Sequence, residues 1–313
     1  MRSEFEFIND IKSRHDLTKV GDDCAVLPKD AKTDLLITSD MLVEGVDFRL
    51  DWSSPEQIGH KALAVSLSDV AAMGGKATSA LLSIALVENL WKGDFLDRLY
   101  AGWHKLAAKF DVELVGGDIS RTSCPLTIDS IVLGEVARGR AVLRSGARPG
   151  DGIYVSGTLG GAAAGLRLLS EGRPICPGAI GNLARRQLQP YPQLRAAKYI
   201  NTESLASAMI DISDGLSSDL IHICKASQVG AEIEIKSIPI EPSVLEVFEP
   251  TEALDMALNG GEDLGLLFTG NEAAALQLQG ITKIGKITAN TGVIELVSGN
   301  ERHPLKARGF RHF

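Results

Sequence analysis

The amino-acid sequence predicts a two-domain fold of the α/β or α+β class. Apolar stretches of strand length alternate with longer helical patterns along the 313 residues. A chain of this length forms two domains more often than one, and such alternation is typical of layered α/β architecture. A stretch rich in glycine, arginine and proline, residues 139–152, interrupts the alternation. We therefore predict an N-terminal domain over 1–138 and a C-terminal domain over 139–313.

The first half begins with apolar residues at helical spacing between Phe5 and Ile11, which predict a short amphipathic helix. A long apolar pattern over Pro55–Met73 predicts a helix, because a proline opens it and Gly74 follows its end. The other predicted elements here are strands at Cys24–Leu27, Leu35–Thr38, Ala80–Val87, Val112–Val115 and Leu126–Val136, and a helix at Phe95–Phe110.

The second half repeats this mixture of elements, without a repeat of fixed period. Its predicted strands are Ile153–Ser156, Ser207–Ile212 and Ala231–Ile235, and its predicted helices are Gly161–Ser170 and Gly215–Ser227.

Composition and charge exclude several classes of function. The net charge of -8 argues against a nucleic-acid surface, which would need a basic stripe. The cysteines Cys24, Cys124, Cys176 and Cys224 never form a CxxC pair, so we expect reduced thiols in a cytoplasm. No signal peptide is recognisable, and no apolar stretch is long enough to span a membrane.

The informative feature is a set of aspartates at the ends of predicted apolar strands or inside the apolar helix. Asp69 lies in a helix that is apolar nearly all round, so we expect its carboxylate to be partly buried. A buried carboxylate without a partner costs several kcal/mol or becomes protonated. The set comprises Asp23, Asp40, Asp69, Asp118, Asp211 and Asp214.

Each of these aspartates, taken singly, also has a structural interpretation. Asp214 could cap the helix that follows it, and Asp40 or Asp118 could close a turn. As a set they are hard to explain in this way, because few basic residues lie nearby in sequence and clustered carboxylates repel one another. Oxygen ligands of this kind suit Mg²⁺, which is often shared with phosphate oxygens. We therefore predict a site where Mg²⁺ lies between an acidic cleft and a phosphorylated ligand.

Two further features favour a phosphate ligand. Gly116-Gly117 before Asp118 would let backbone N–H groups approach a phosphate closely. Arg144 is a candidate phosphate clamp on the interdomain segment, although a solvated arginine there is an alternative. The common nucleotide-binding motifs are absent from the sequence, and no pair of histidines has metal-ligand spacing.

These segments resemble the ordered motifs of the thiamine-monophosphate kinase family. The resemblance runs from near residue 20 to the C-terminus. The motifs are GDDCAV (21–26), TSDMLVEGVDF (38–48), KALAVSLSDVAAMG (61–74), GGDISR (116–121), RSGARPGD (144–151), IDISDGL (210–216), GGEDL (260–264) and GFRHF (309–313).

The resemblance implies a fold shared with aminoimidazole ribonucleotide synthetase. It implies an N-terminal domain whose strands join a barrel across a homodimer interface, and a C-terminal α+β domain. ATP and several Mg²⁺ ions would lie in the cleft between the domains. The γ-phosphate of ATP would pass directly to thiamine monophosphate and give thiamine diphosphate.

The resemblance also implies roles for individual residues. The implied metal ligands are Asp23, Thr38, Ser39, Asp40, Asp69, Asp118, Asp211 and Asp214. The implied ATP contacts are Gly117, Asp118, Arg144 and Ser213. The implied acceptor contacts are Asp47, Glu262 and Phe310. An aromatic ring such as Phe310 could stack on a planar cationic heterocycle, but it could equally anchor the chain terminus in the core.

Two positions depart from the family pattern, and both concern the acceptor. The family usually has histidine where this chain has Asp47, and a tyrosine–glutamate pair where it has Leu264-Gly265. Asp47 could favour a cationic ring or repel a phosphate, and the sequence leaves both open.

Two alternatives to this kinase remain at the level of the sequence. One is another ATP-using enzyme of the same superfamily with a different acceptor; the reactive cysteine expected in two such enzymes is not recognisable here. The other is a non-catalytic sensor of ATP and Mg²⁺, which would bind nucleotide without product formation.

Overall fold

The computed structural model describes residues 4–271 and 279–310, and two β-sheets form the scaffold of this part of the chain. Residues 311–313 of the terminal GFRHF motif lie outside the described residues. The first sheet consists of β1 (Ala25–Pro28), β2 (Thr33–Val43), β3 (Lys76–Leu86), β4 (Glu113–Arg121) and β5 (Thr127–Ala137). Its strand order is β1-β2-β5-β3-β4, so β4 lies at one edge. All neighbouring strands are antiparallel except β3 and β4.

The helices of the first half are α1 (Glu4–His15), α2 (Pro55–Ala72), α3 (Glu88–Trp91) and α4 (Phe95–Phe110). The start of α2 is fixed by a capping box, in which Ser54 and Gln57 bond each other's backbone N–H groups. Pro55 occupies the first turn of the helix, where no intrahelical bond from its nitrogen is needed.

The second sheet consists of β6 (Gly152–Ser156), β7 (Ala208–Ile212), β8 (Gly230–Glu234), β9 (Gly265–Gly270), β10 (Ile281–Thr288), β11 (Ile294–Ser298) and β12 (Glu301–Pro304). Its order is β12-β11-β8-β10-β6-β9-β7. The accompanying helices are α5 (Gly161–Ser170), α6 (Ala179–Leu188), α7 (Leu194–Thr202), α8 (Leu216–Ser227), α9 (Pro242–Val247) and α10 (Pro250–Asn259).

Helix α2 lies between the two sheets, which explains why it is apolar nearly all round. It packs on β2 and β5 of the first sheet and on β7 and β9 of the second. The largest core cluster accordingly joins Leu63 and Leu67 of α2 to Met209 and Phe268 of the second sheet. The predicted helix is confirmed, and two of its polar residues, Lys61 and Ser68, bond residues of the second half.

Two predicted strands were too short. The prediction ended one strand at Thr38, but β2 continues to Val43 and contains Asp40. The prediction ended another at Val115, but β4 continues to Arg121 and contains Asp118. Both strands continue because neighbouring strands supply backbone hydrogen bonds along their whole length, which outweighs the weak strand preference of glycine and aspartate.

The predicted boundary segment connects the two sheets along the chain, since β5 ends at Ala137 and β6 begins at Gly152. The limits 1–138 and 139–313 stay a prediction. Within the described part of the chain, none of the helices has both the length and the apolar character needed to cross a membrane.

Candidate functional site

Three aspartates from distant parts of the chain meet at the junction of the two sheets. Carboxylate oxygens of Asp23, Asp69 and Asp211 all lie within 4.8 Å of one another. Asp23 precedes β1, Asp69 lies on the last turns of α2, and Asp211 lies on β7. We refer to these three residues as the aspartate cluster. It brings together three of the metal ligands predicted from the sequence.

The aspartate cluster and its neighbour Asp40 strongly disfavour negative charge. Burial raises the pKa of Asp40 to about 6, and the nearby Asp129 and Asp23 add to the effect. Burial and the charge of Asp23 raise the pKa of Asp211 to about 7. The pKa of Asp69 is raised well above its usual value by burial and by Asp40 and Asp211. Such shifts are typical of carboxylates that lack a compensating cation.

Only some of the carboxylate oxygens have hydrogen-bond donors. Ser68 Oγ donates to Asp211 Oδ2 over 2.6 Å, and Thr38 Oγ1 donates to Asp69 Oδ2. Arg144 donates to Asp23 Oδ1 through its Nε and Nη2 atoms. In contrast, Asp23 Oδ2 is buried without a hydrogen-bond partner among the described residues, and so is Asp40 Oδ2. Buried oxygens in this state fit a bound cation.

The two flanking hydroxyls predicted as ligands differ in position. Thr38 is buried and bonded to the aspartate cluster, whereas Ser39 is exposed and donates to Asp129 Oδ1 over 2.8 Å. Because successive side chains of a strand point to opposite faces, Thr38 and Asp40 share one face of β2 and Ser39 lies on the other.

The turn after β7 joins the aspartate cluster to the end of the chain. Ser213 and Asp214 follow Ile212 in this turn. Gly215 has a φ of 119°, at which a residue with a side chain would be strained. Phe310 N donates to Asp214 O over 3.1 Å. A Cβ atom on Gly309 would lie 2.4 Å from Asp214 O, so only glycine allows this approach.

This arrangement forms a cavity of about 480 Å³ beside the turn. Its lining includes Val46, Asp47, Leu166, Ser213, Glu262 and Phe310, and we refer to it as the Phe310 pocket. The three predicted acceptor contacts and one predicted ATP contact therefore line one cavity. Arg167 and Arg308 also line it and bring positive charge.

Asp47, which departs from the family pattern, has a structural role in its own loop. Its Oδ2 atom accepts a hydrogen bond of 2.7 Å from Val43 N, and its backbone N–H donates to Val43 O. The carboxylate thus closes the turn that follows β2, as aspartate often does. Asp47 still lines the Phe310 pocket.

Gly117 and Asp118 lie away from the aspartate cluster within the chain. The register of the first sheet aligns Asp40 with Ser130, Ser130 with Leu82, and Leu82 with Gly117. Three strand spacings of about 4.8 Å correspond to a separation of roughly 14 Å between Gly117 and Asp40, the neighbour of the aspartate cluster. Asp118 is exposed on the edge strand, where Ser120 Oγ donates to it over 3.2 Å.

The glycine at position 117 has a structural cause. Its φ is 151°, and a Cβ atom would lie 2.0 Å from Leu82 O on the neighbouring strand. The close pairing of β3 and β4 therefore requires glycine here, whether or not a phosphate also approaches its N–H group.

Sequence reasoning missed two polar residues on α2 and one on α6. Ser68 orients Asp211, and Lys61 and Gln187 both donate to Glu262 Oε2. The signal was present for Lys61, since it is a lone cation in the apolar pattern of α2. No local pattern indicates its partner, which lies 201 positions away.

Comparison of the fold with solved structures gives a close match. A solved structure described as AaThiL complexed with AMPPCP and TMP superimposes with a TM-score of 0.91 and 34% sequence identity. The match covers 99% of this chain and 97% of that one, so both sheets and their helices correspond.

The family models assign the two halves. The model for the AIR synthase related protein N-terminal domain matches residues 21–136, and the model for its C-terminal domain matches 148–297. The fold and the aspartate cluster thus define a two-domain protein of the AIR synthase related class.

The thiamine-monophosphate kinase of Escherichia coli K12 is 39% identical over 305 residues, covering 94% of this chain and 91% of that protein. The Bacillus subtilis enzyme is 36% identical, with 99% of both chains covered. The chain belongs to the thiamine-monophosphate kinase family, which confirms the resemblance inferred from the sequence motifs.

Proposed function

We propose that this protein transfers the γ-phosphate of ATP directly to thiamine monophosphate and releases thiamine diphosphate. The observation that carries the proposal is the aspartate cluster, buried between the halves with an unbonded carboxylate oxygen and lying next to the Phe310 pocket. Similarity to kinases of this specificity over nearly the whole chain supports the same conclusion.

The residues of the aspartate cluster fit Mg²⁺, because hard carboxylate oxygens are its preferred protein ligands. Asp23, Asp40, Asp69 and Asp211 would hold the ions, and Thr38, Ser39, Asp118 and Asp214 remain predicted ligands. Bound Mg²⁺ would neutralise the phosphate charges of ATP, which otherwise repel an acidic cleft. Two or more ions fit a set of this size.

The side chains around the nucleotide would orient it rather than react with it. Arg144 is anchored to Asp23 at the junction of the domains, so its guanidinium can contact a phosphate without leaving the cleft. Ser213 is exposed on the turn between the aspartate cluster and the Phe310 pocket, where a transferred phosphoryl group would pass. Gly117 and Asp118 complete the predicted contacts.

The residues of the Phe310 pocket complement the cationic ring and the phosphate of thiamine monophosphate. Phe310 offers an aromatic face for a cationic thiazolium ring, and Asp47 and Glu262 offer negative charge. Arg308 lies in the same lining and suits the phosphate of the acceptor. A phosphate monoester is already ionised near pH 7, so its oxygen can attack the γ-phosphorus in line without a dedicated general base.

The edge strand β4 suggests how Asp118 reaches the site. Val115 and Ile119 on β4 are exposed, as is Met41 on β2, and β4 has a strand neighbour on one side only within the described sheet. Exposed apolar edge strands are normally covered. We therefore propose a homodimer in which β4 lies against a second copy and Asp118 of one copy approaches the aspartate cluster of the other.

A cytoplasmic location completes the proposal, with ATP and thiamine monophosphate as the molecules bound. The four cysteines are free in the structure, as expected for a reducing compartment.

The decisive experiment incubates purified protein with ATP, Mg²⁺ and thiamine monophosphate and separates the products by chromatography. We expect thiamine diphosphate and ADP in equal amounts, and none when thiamine replaces thiamine monophosphate. ATP binding without product would instead indicate a sensor. Product formation only with another phosphorylated acceptor would indicate a different enzyme of the superfamily.

A further inference from the structure

Lys61 is a buried lysine whose ammonium group joins the two halves of the molecule. Its side chain is 4% exposed and lies on α2. The Nζ atom donates to Asp47 O over 2.8 Å and to Glu262 Oε2 over 2.8 Å, and it lies 2.7 Å from Glu262 Oε1. A lysine is rarely buried unless its charge and its donors are satisfied in this way.

Glu262 is held in an unusual conformation by several contacts. Its φ is 66°, a left-handed value that costs energy for a residue with a side chain. Its backbone N–H donates to Ser213 O over 2.8 Å, and Gln187 Nε2 donates to its Oε2. Lys61 of α2 and Gln187 of α6 therefore fix the Glu262 carboxylate, while Ser213 holds its backbone. A conformation fixed at such a cost is common at binding sites.

Lys61 and Glu262 line two different, neighbouring cavities. Lys61 lines a smaller cavity of about 220 Å³, which shares Val46, Asp47 and Gln187 with the Phe310 pocket. The side chain of Glu262 is 28% exposed and lines the Phe310 pocket itself. A ligand in the Phe310 pocket would thus meet Glu262, with Lys61 behind it.

We propose that Lys61 is the positioning residue of the acceptor site: it fixes the carboxylate of Glu262 and the backbone of the Asp47 loop in the geometry that thiamine monophosphate requires. This inference rests on the proposed function. Lys61 acts through Glu262 and does not touch the reacting atoms.

The effect should be selective for the acceptor. Lys61 and Asp69 are eight positions apart on α2, which corresponds to roughly 12 Å along the helix axis. The positions of Lys61 and of Asp69, the predicted metal ligand on the same helix, are therefore well separated. The alternative is a purely structural ion pair between the two halves. Its loss would destabilise the whole fold and would weaken the binding of both substrates alike.

The experiment uses the full-length variants Lys61→Met, Glu262→Gln and the double variant. Steady-state kinetics give KM for thiamine monophosphate and for ATP separately, and thermal unfolding gives stability. Lys61→Arg tests rescue by a residue that keeps the charge. Lys76→Met is the matched control, since Lys76 is 67% exposed and lies away from both cavities.

We expect Lys61→Met to raise KM for thiamine monophosphate about 30-fold, because one partner of a buried charged pair is left alone. KM for ATP should change by less than about threefold, since the aspartate cluster is untouched. In the Glu262→Gln background the lysine substitution should add little, because both changes act on one contact. The double variant should regain thermal stability without regaining acceptor affinity, and Lys61→Arg should restore part of that affinity.

Equal effects on both substrates, or additive effects of the two substitutions on the acceptor KM, would overturn the inference while leaving the kinase activity intact. So would recovery of acceptor affinity together with stability in the double variant. A wild-type protein that forms no thiamine diphosphate would overturn the proposed function and this inference with it. If Lys61→Met does not fold, the double variant and Lys61→Arg still decide the outcome.

Discussion

The aspartate cluster and the Phe310 pocket lie side by side but differ in how their charge is compensated. In the aspartate cluster, burial raises the pKa of Asp211 to about 7, and Asp23 Oδ2 has no hydrogen-bond partner among the described residues. In the Phe310 pocket, Glu262 is paired with Lys61, and the Asp47 carboxylate bonds its own loop. The first region keeps uncompensated carboxylates, whereas in the second the carboxylates already have hydrogen-bond or ion-pair partners.

The difference predicts how each region responds to ligand binding and to substitution. A cluster of repelling carboxylates is unstable by itself and gains stability when an ion binds. A compensated pocket gains affinity by being rigid in advance. Substitutions in the aspartate cluster should therefore stabilise the ligand-free protein while abolishing activity. Substitutions in the Phe310 pocket should weaken the binding of one substrate only.

The largest effect should come from Asp69→Asn. We expect kcat to fall by roughly 10²–10³-fold, because a ligand that organises the charge of the transferred phosphate is lost. The ligand-free protein should become more stable, by about 1–2 kcal/mol, since a buried repelling charge is removed. Thermal unfolding and kinetics measure both quantities. Asp51→Asn, on the exposed surface, should change neither, and an Asp69→Asn variant with normal kcat would place Asp69 outside the site.

The next prediction concerns the separation of Asp40 and Asp118. If Asp118 reaches the aspartate cluster of a second copy, Asp40→Asn and Asp118→Asn should each be inactive alone. Co-expressed, they should regain about one quarter of wild-type activity, because half of the dimers are mixed and each mixed dimer has one intact site. Each variant expressed alone is the control. Absence of any recovery, with mixed dimers present, would place both aspartates in a site formed by one chain.

A smaller effect is expected from Phe310→Ala. Loss of stacking on a cationic ring should raise KM for thiamine monophosphate about 3- to 30-fold, with little change in KM for ATP. Phe7→Ala is a suitable control, because Phe7 is similarly exposed but lies on α1. A change in stability without a change in the acceptor KM would show that Phe310 only anchors the chain terminus.

The smallest effect is a pH-dependent stabilisation by Mg²⁺. Folding raises the pKa of Asp40 to about 6 and that of Asp211 to about 7, from a usual value of 3.8. Their protonated forms are therefore favoured in the folded state, and the metal-free protein should lose stability as pH rises from about 4 to 7. Protons and Mg²⁺ compete for the same oxygens, so Mg²⁺ should raise Tm by several degrees more at pH 8 than at pH 5.5. An equal rise at both pH values would contradict this.

The sequence by itself determined the elements whose pattern is local. The long helix over Pro55–Met73 was predictable because its caps and its apolar pattern lie within one segment, and α2 ends within one residue of the prediction. The partial burial of Asp69 was also predictable, since its segment is apolar nearly all round, and the Mg²⁺ site inferred from the aspartates stays a prediction. The motifs around them were specific enough to indicate the family.

Only the tertiary structure decided which of these residues meet. Ser68 and Asp211 are 143 positions apart, and Lys61 and Glu262 are 201 positions apart, so no local pattern could pair them. The same holds for Asp118, whose strand continues past its glycines because a neighbouring strand bonds it. Side-chain types follow from the sequence, but distances and charge compensation depend on packing between segments that are remote in the chain.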